Sequence, residues 1–392
     1  MGSDDKTTTF DGHERSVAIM ACAASAKLEI AKFVHPIMSV QAFDITGQTW
    51  PNYQGIQQMT VAPVKISDEA KRDLRILFMA KHALGDGSLH GEDGNHAVYH
   101  HEVRTILEGL GLNLKVANSY DILFDNPDVD FVFPLLNRGG FFNSEMLVPL
   151  LCSRLGLPFL GASPILRGLS DDKHLTKLEG RVRGVPTCDW AIYRNGAPVH
   201  AEACPKADRY VIKPNASSAS WGVGDATGWE GVKAAIDGIH AEGHDAIVEP
   251  FMNGSDVEVP VITIGGEPVV MPPMLFRQAD PSHLRTYWEK RDLVEREQKY
   301  ELVPFEGGEA WPKIRELTLK MAEIFRPFDY GRFEFRFNED NGEINLLEVN
   351  LNCNLWSQKV YGRSATLMGW TQEQLIETIV AESLIRHGLM SR

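Results

Sequence analysis

The chain has 392 residues, 43% of them hydrophobic and 23% charged, with a net charge of −14. That length holds two or three domains and a large core. The acidic balance argues against a general nucleic-acid or anionic-membrane binder but leaves room for a nucleotide in a local basic pocket.

Five scattered cysteines, an odd number with no CxxC, point to free thiols in a reducing compartment. No apolar run reaches membrane-spanning length. Ser16–Ala26 is apolar, but Asp4, Asp5, Asp11 and Glu14 precede it where a leader carries basic residues. A cytoplasmic protein is expected.

Residues 1–70 form an extension of no assignable role: a polar start, an apolar stretch Ser16–Val40, then Gln41–Val64 without periodicity. Over 71–163 the pattern is α/β. It predicts a strand Arg75–Ala83, a Gly-rich loop Gly85–Gly94, a helix His96–Leu110 and a strand Leu112–Ala117. A strand Val129–Leu135 then runs into Asn137-Arg138-Gly139-Gly140, followed by a helix Ser144–Leu155 and a strand Leu157–Gly161. Such alternation makes a parallel sheet. Over 164–250 come a helix opened by Asp171-Asp172-Lys173, strands Trp190–Tyr193 and Tyr210–Lys213, a small-residue loop to Gly224, a helix Trp229–Glu242 and a strand Ala246–Glu249. Over 251–392 come a hairpin (Asp256–Ile264 with Pro268–Met271), a polar segment Arg277–Lys299, a helix Pro312–Phe325, a hairpin Gly331–Asn350 and a helix Thr371–His387.

The Gly331–Asn350 hairpin carries the strongest chemical signal. Phe333, Phe335 and Phe337 alternate with Arg332, Glu334 and Arg336, and Leu346, Glu348 and Asn350 share a face of the return strand. If Asp340-Asn341-Gly342 is the loop, Glu334 sits opposite Glu348 and Arg332 opposite Asn350. Opposed like charges destabilise a hairpin. A divalent cation removes that conflict, and two carboxylates with an amide oxygen suit Mg²⁺ shared with phosphates.

Other residues add to this. Lys213 ends a strand before a Ser/Gly loop that can wrap phosphate, although the spacing is not Walker A. Lys173 alone reads as a solvated lysine. Glu249, with Phe251 and Met252, ends an apolar strand where a purine fits, and Asp256 can accept from ribose or belong to a turn. Cys353 reads as a small filler rather than a nucleophile, and His100 and His101 point to different faces of their helix.

Five motifs occur in order: Asp172-Lys173-x-x-x-Lys177, Val211-x-Lys213-Pro214, Val248-Glu249, Gly331-Arg332-x-Glu334 and Leu347-Glu348-Val349-Asn350. Together they resemble an ATP-grasp ligase, nearest to the D-alanine–D-alanine ligase family, over Leu74–Ser391. The resemblance implies an α/β ATP-grasp fold: an N-terminal parallel-sheet (pre-ATP-grasp) domain, then two α+β subdomains clasping ATP. It also implies ATP phosphates on Lys173, Lys213 and Lys290, with the Ser217–Gly224 loop (Ser217, Ser218, Ser220, Gly222) closing over them. Adenine would sit at Glu249, Phe251 and Met252, and ribose at Asp256. Glu334, Glu348 and Asn350 would hold two Mg²⁺, with Mn²⁺ the alternative ion. Arg332 and Lys213 would be catalytic.

Departures cluster where amino-acid substrates bind. Asn137-Arg138-Gly139-Gly140 replaces the family's His-Gly-x-x-Gly-Glu-Asp-Gly loop, Arg291 a tyrosine, and Lys359 a carboxylate-binding serine, while the ending becomes Asn350-Leu351-Asn352-Cys353-Asn354. Asn137, Arg138, Arg291, Asn354 and Lys359 are the candidate substrate residues. The implied function is a carboxylate–amine ligase working through an acyl phosphate, on small amino-acid-like substrates other than D-alanine pairs, as a homodimer without nucleic-acid or membrane partners. A non-catalytic nucleotide binder, and an ATP-grasp enzyme with a non-amine acceptor, are the alternatives.

Overall fold

Three sheets carry the fold of the computed structural model, which describes residues 61–136, 144–217, 220–294 and 300–392. All of these lie in one unit, Gln48–Arg392. Of the expected site residues, Asn137, Arg138 and Ser218 lie outside the described residues, as does the extension up to residue 60.

The first sheet is parallel. After α1 (Asp68–Asp73), where Ser67 Oγ accepts from the Ala70 amide, come β1 (Arg75–Met79), α2 (Asn95–Gly109), β2 (Asn113–Ala117), β3 (Phe131–Pro134) and α3 (Leu147–Leu155). The strand order is β2-β1-β3. Ile76, Phe78, Phe131 and Phe133 face one core, and Leu77, Met79 and Val132 the other. Both faces are covered, so these strands are apolar throughout. The strand expected at Leu157–Gly161 is only a bridge between Val132 and Phe159. Pro158 has no amide hydrogen for the ladder, and the Gly161 amide donates instead to Asp329 at 2.5 Å.

The second sheet is antiparallel. The helix expected to open at Asp171-Asp172-Lys173 is α5 (Lys173–Val182), and a helix not expected, α4 (Pro164–Asp171), with proline in its first turn, precedes it. Asp172 is extended between them, and its carboxylate accepts from the Leu175 amide at 2.9 Å. This is an N-cap, so Lys173 becomes the first residue of a new helix. Then follow β4 (Ala191–Tyr193), β5 (Tyr210–Pro214), β6 (Gly224–Ala226), α6 (Gly228–Ala241) and β7 (Ala246–Pro250), ordered β4-β7-β5-β6.

The third sheet holds β8 (Ser255–Ile264), β9 (Glu267–Val270), β10 (Met274–Gln278), β11 (Tyr300–Pro304), β12 (Tyr330–Phe337) and β13 (Ile344–Asn350), ordered β11-β10-β8-β12-β13 with β9 on β8. Between strands lie α7 (Tyr287–Lys290), held by a Thr286/Glu289 capping box, and α8 (Ala310–Ala322). α9 (Val360–Leu367) and α10 (Gln372–Arg386) complete the chain. Among the described residues, no helix is long and apolar enough to cross a membrane.

The β12–β13 hairpin reaches its expected register by an unexpected route. Next to the turn Phe337 pairs with Ile344 and Phe335 with Leu346, so the loop is one residue longer than Asp340–Gly342. That alone would turn Glu348 into the core. A bulge between Glu334 and Phe335 absorbs the extra residue, restoring Glu334 opposite Glu348 and Arg332 opposite Asn350. Leu346 therefore leaves the face expected of it and is fully buried with Phe333 and Phe335. Leu347 instead lines a pocket. Leu346→Ala should cost about 2–5 kcal/mol, as for other filled core sites, and Leu347→Ala less than half as much. Urea unfolding measures both, and the reverse order would mean that the bulge is absent.

Candidate active site

β12 lies between β8 and β13, and each neighbour sets a carboxylate beside Glu334: Glu258 from β8 and Glu348 from β13. Three acids thus form a row across one sheet face. Glu334 is only 7% exposed. Burial raises its carboxyl, Arg332 pulls it back, and Glu258 and Glu348 push it on, so that it stands at about 8. Glu348 goes the other way: burial is outweighed by Lys173, Lys213 and Lys290, which hold it at about 2. Arg332 Nε lies 3.0 Å from Glu334 Oε1 and 2.9 Å from Glu258 Oε2. The Asn350 amide donates to Glu334 Oε1 at 2.7 Å and Glu348 Oε1 at 3.3 Å.

This donor set fits a divalent cation. The acids crowd together, two of them sharing Arg332 as ion-pair partner, and an amide of this kind can present its oxygen as readily as its nitrogen. Hard oxygen donors are the ligands Mg²⁺ takes.

The lysines arrive from the second sheet. Asn215, just after β5, accepts from the Lys173 amide through its carbonyl at 3.1 Å and from the His174 amide through Oδ1 at 2.9 Å. This stitches the start of α5 to the end of β5. Lys173 Nζ donates to the Ser217 carbonyl at 2.7 Å and lies 3.4 Å from Glu348. Lys213 Nζ donates to Glu249 Oε2 at 2.9 Å, and the wholly buried Lys177 lies 3.1 Å from Glu249 Oε1. Burial opposes the charge on Glu249, but the two lysines hold it at about 2. Burial likewise opposes the Lys213 ammonium, but Glu249 and Glu348 carry it above its ordinary value.

Two pockets meet here. The first is lined by Lys173, Lys213, Ser217, Ser220, Glu249, Phe251, Met252 and Asp256. The second is lined by Arg332, Asn350, Asn354, Lys359, Glu258, His96 and Tyr300. Arg285, Lys290, Glu334 and Glu348 line both. The structure thus brings together nearly every described residue singled out from sequence.

Three expectations change. Gly222 lines neither of these pockets; it turns with φ 68° against Pro214. Asp256 has both oxygens engaged, one by Arg336 at 2.8 Å and one by Arg285 at 2.9 Å. Arg291 is buried in an ion pair with Asp93 at 2.7 Å and lies over Tyr287, so its charge is spent on the structure. His82, His90 and Asp93 also converge, but Lys81 and Arg291 already neutralise Asp93. Cys353 is buried, its thiol pushed up to about 12 by burial, as suits a filler.

Sequence reasoning missed Lys177, Glu258, Arg285, His96 and Tyr300. Lys177 had a signal, standing one helical turn after Lys173. So had Glu258, which alternates with Asp256 on its strand. Arg285 had none.

A family model described as D-ala D-ala ligase C-terminus matches residues 183–381, just over half the chain. The D-alanine–D-alanine ligase of Actinobacillus pleuropneumoniae serotype 5b is 25% identical over 283 residues, covering 71% of this chain and 89% of its own. That of Oleidesulfovibrio alaskensis is 27% identical over 315 residues, 77% and 94% of the two chains. Among solved structures, a D-alanine–D-alanine ligase from Bacillus anthracis complexed with ATP superposes with TM-score 0.62 at 16% identity, covering 81% of this chain and all of that one. The VanG D-Ala:D-Ser ligase from Enterococcus faecalis gives 0.58 at 16%, covering 80% of this chain and 100% of that chain.

The Glu249 cluster makes a pH prediction. A carboxyl held at about 2, against an ordinary 4.5, contributes stability that is present above pH 4.5 and is lost as pH falls toward 2. Glu249→Gln strands two buried lysines and should cost about 3–5 kcal/mol at pH 7. The gap to wild type in urea unfolding should narrow at pH 3; a gap independent of pH would contradict the ion-pair assignment.

Proposed function

The chain belongs to the D-alanine–D-alanine ligase family and has its ATP-grasp fold, and we propose that it joins a carboxylate to an amine with ATP through an acyl phosphate. The observation that carries this reading is the pair of pockets meeting at Glu334, Glu348 and Lys290. One pocket suits a nucleotide, with apolar Phe251 and Met252 at one end and Lys173 and Lys213 at the other. The other suits the acceptor.

Glu334, Glu348 and Asn350 would hold Mg²⁺, two ions with Mn²⁺ as substitute, which when bound neutralise phosphate charge. Lys173 and Lys213 grip the ATP phosphates, and Glu249 fixes Lys213 by a buried ion pair. Ser217 and Ser220 line the same pocket and would meet the phosphates, and Glu249 would meet the adenine edge. Asp256, clamped by two arginines, reaches ribose only through its remaining lone pairs. A substrate carboxylate oxygen attacks the γ-phosphorus and ADP leaves. An amine then attacks the acyl carbon, phosphate departs, and the nitrogen sheds a proton to solvent. Arg332 borders the acceptor pocket, where it offsets charge on the tetrahedral carbon. Water exclusion protects the acyl phosphate.

With Arg291 committed to Asp93, Lys359 is, among the described residues, the expected substrate cation that lines the acceptor pocket. We infer from it an acid or amine bearing an additional anionic group, rather than D-alanine pairs. We infer domains at 71–163, 164–250 and 251–392, a division supported by each range holding one of the three sheets. The four described cysteines are free, which suits a cytoplasmic enzyme.

A non-catalytic nucleotide binder would not need the full acid row. The deciding experiment supplies ATP, Mg²⁺ and a panel of amino acids, dicarboxylates and phosphorylated amines, with phosphate release and product mass as readouts. Turnover should require Mg²⁺, and Glu348→Gln should lower it by about 10²-fold or more. Lys359→Ala should raise the acceptor KM about tenfold while leaving the KM for ATP within threefold. ATP binding without turnover across the panel favours the non-catalytic reading, and an ester or thioester product the other acceptor class.

A further inference from the structure

Arg285 carries no assignment in the reading above, on which this inference rests. Its side chain is 7% exposed, yet it lines both pockets. Three contacts immobilise it. Its Nη2 donates to Asp256 Oδ2 at 2.9 Å. Its guanidinium lies 3.8 Å from the centre of the Phe276 ring and 5.3 Å from that of Tyr300. The sheet dictates this clamp. Across β12, β8 and β10, Arg336, Asp256 and Phe276 stand in one row, and Arg336 takes the other oxygen of Asp256 at 2.8 Å. Two residues along the strands, the next row on this face is Glu334 and Glu258. Arg285 is therefore a rigid cation one step from the acid row.

Its neighbour Lys290 lines the same seam. Burial, and next the Arg285 guanidinium itself, hold the Lys290 ammonium below its ordinary value. Two cations confined together where both pockets open form a place for an anion. Arg285 offers planar N–H donors there, which match phosphate oxygens better than an ammonium does. The group that must cross this seam is the γ-phosphoryl.

We propose that Arg285 is a further catalytic residue, which contacts the γ-phosphoryl group of ATP as it passes from the nucleotide pocket to the acceptor pocket. Asp256 is then its positioning residue, and the Phe276 ring keeps the guanidinium flat against the sheet.

The test compares binding of ADP with that of a non-hydrolysable ATP analogue carrying an imido bridge, both with Mg²⁺, by isothermal titration calorimetry. Arg285→Gln should weaken the analogue about tenfold or more, as loss of a charge-assisted bond to phosphate does, and ADP less than threefold. Arg285→Lys, which keeps the charge, should show the same selective loss to a smaller degree, and decides the matter if Arg285→Gln unfolds by circular dichroism. Equal losses for both nucleotides, or none for either, would overturn the proposal and leave Arg285 a structural tie to Asp256. A wild-type protein that binds neither nucleotide would instead overturn the ligase reading, so the two failures are distinguishable.

Discussion

Pairing of β12 with a strand on each side forces Glu258, Glu334 and Glu348 into one row, and much of the molecule answers that constraint. Backbone hydrogen bonding sets the row, so it persists whatever the acids cost one another. Like charges opposed across strands destabilise, and here Glu334 is also nearly sealed from water. The protein meets the cost with Arg332 beside two of the acids, Asn350 bridging two, and Lys173 near the third. A carboxyl standing at about 8 nevertheless shows that compensation is incomplete. An incompletely neutralised row of hard oxygen donors is of the kind that suits a divalent cation. It is the sort of local conflict that folds keep at functional sites.

The opposite economy holds around Glu249. There one buried carboxylate serves two buried lysines, and the charges nearly balance without ligand. Lys177 is further tied by donating to Thr187 at 2.8 Å. Lys213 is thereby fixed by its own ion pair, so little ordering entropy remains to be lost there. The two clusters sit on different sheets and communicate through Lys213, whose charge is favoured by Glu249 and Glu348 alike. One cluster is closed on itself by ion pairs; the other is a row of acids that suits a divalent cation.

What could be read in the sequence followed from periodicity. Alternation of phenylalanines with Arg332, Glu334 and Arg336 located a strand and its two faces, and the Leu347–Asn350 motif located its partner. The bulge was not legible, because a single unpaired residue leaves no trace in alternation; two errors, in loop length and in the face of Leu346, cancelled at Glu348. The Pro158 break and the Asp172 cap are both written in the chain, but the competing acceptor for Gly161, Asp329, lies 168 residues away. Arg285 was invisible for the same reason, and Glu258 was marked only by its alternation with Asp256. Their meaning comes from which strands become neighbours, and β10-β8-β12 is not a sequential order.

Arg291 shows how such long-range pairing also assigns charge. Read alone, an arginine beside Lys290 suggests an anionic substrate. In the fold it meets Asp93 and is buried, and the chain about it is pinned by hydrogen bonds. The Asn95 amide donates to the Arg291 carbonyl at 3.1 Å, and the Asn95 side chain donates to Asp292 at 2.7 Å. Gly94 has φ 54°, and a Cβ there would collide with that same carbonyl. The Gly85–Gly94 loop is thus docked on the segment that carries Arg285 and Lys290. This docking brings α2 to the acceptor pocket, where His96, kept neutral by burial with its pKa at about 3, forms part of the wall. The N-terminal layer therefore shapes this pocket by packing rather than charge, its wall held in place by hydrogen bonds to the segment that carries Arg285 and Lys290.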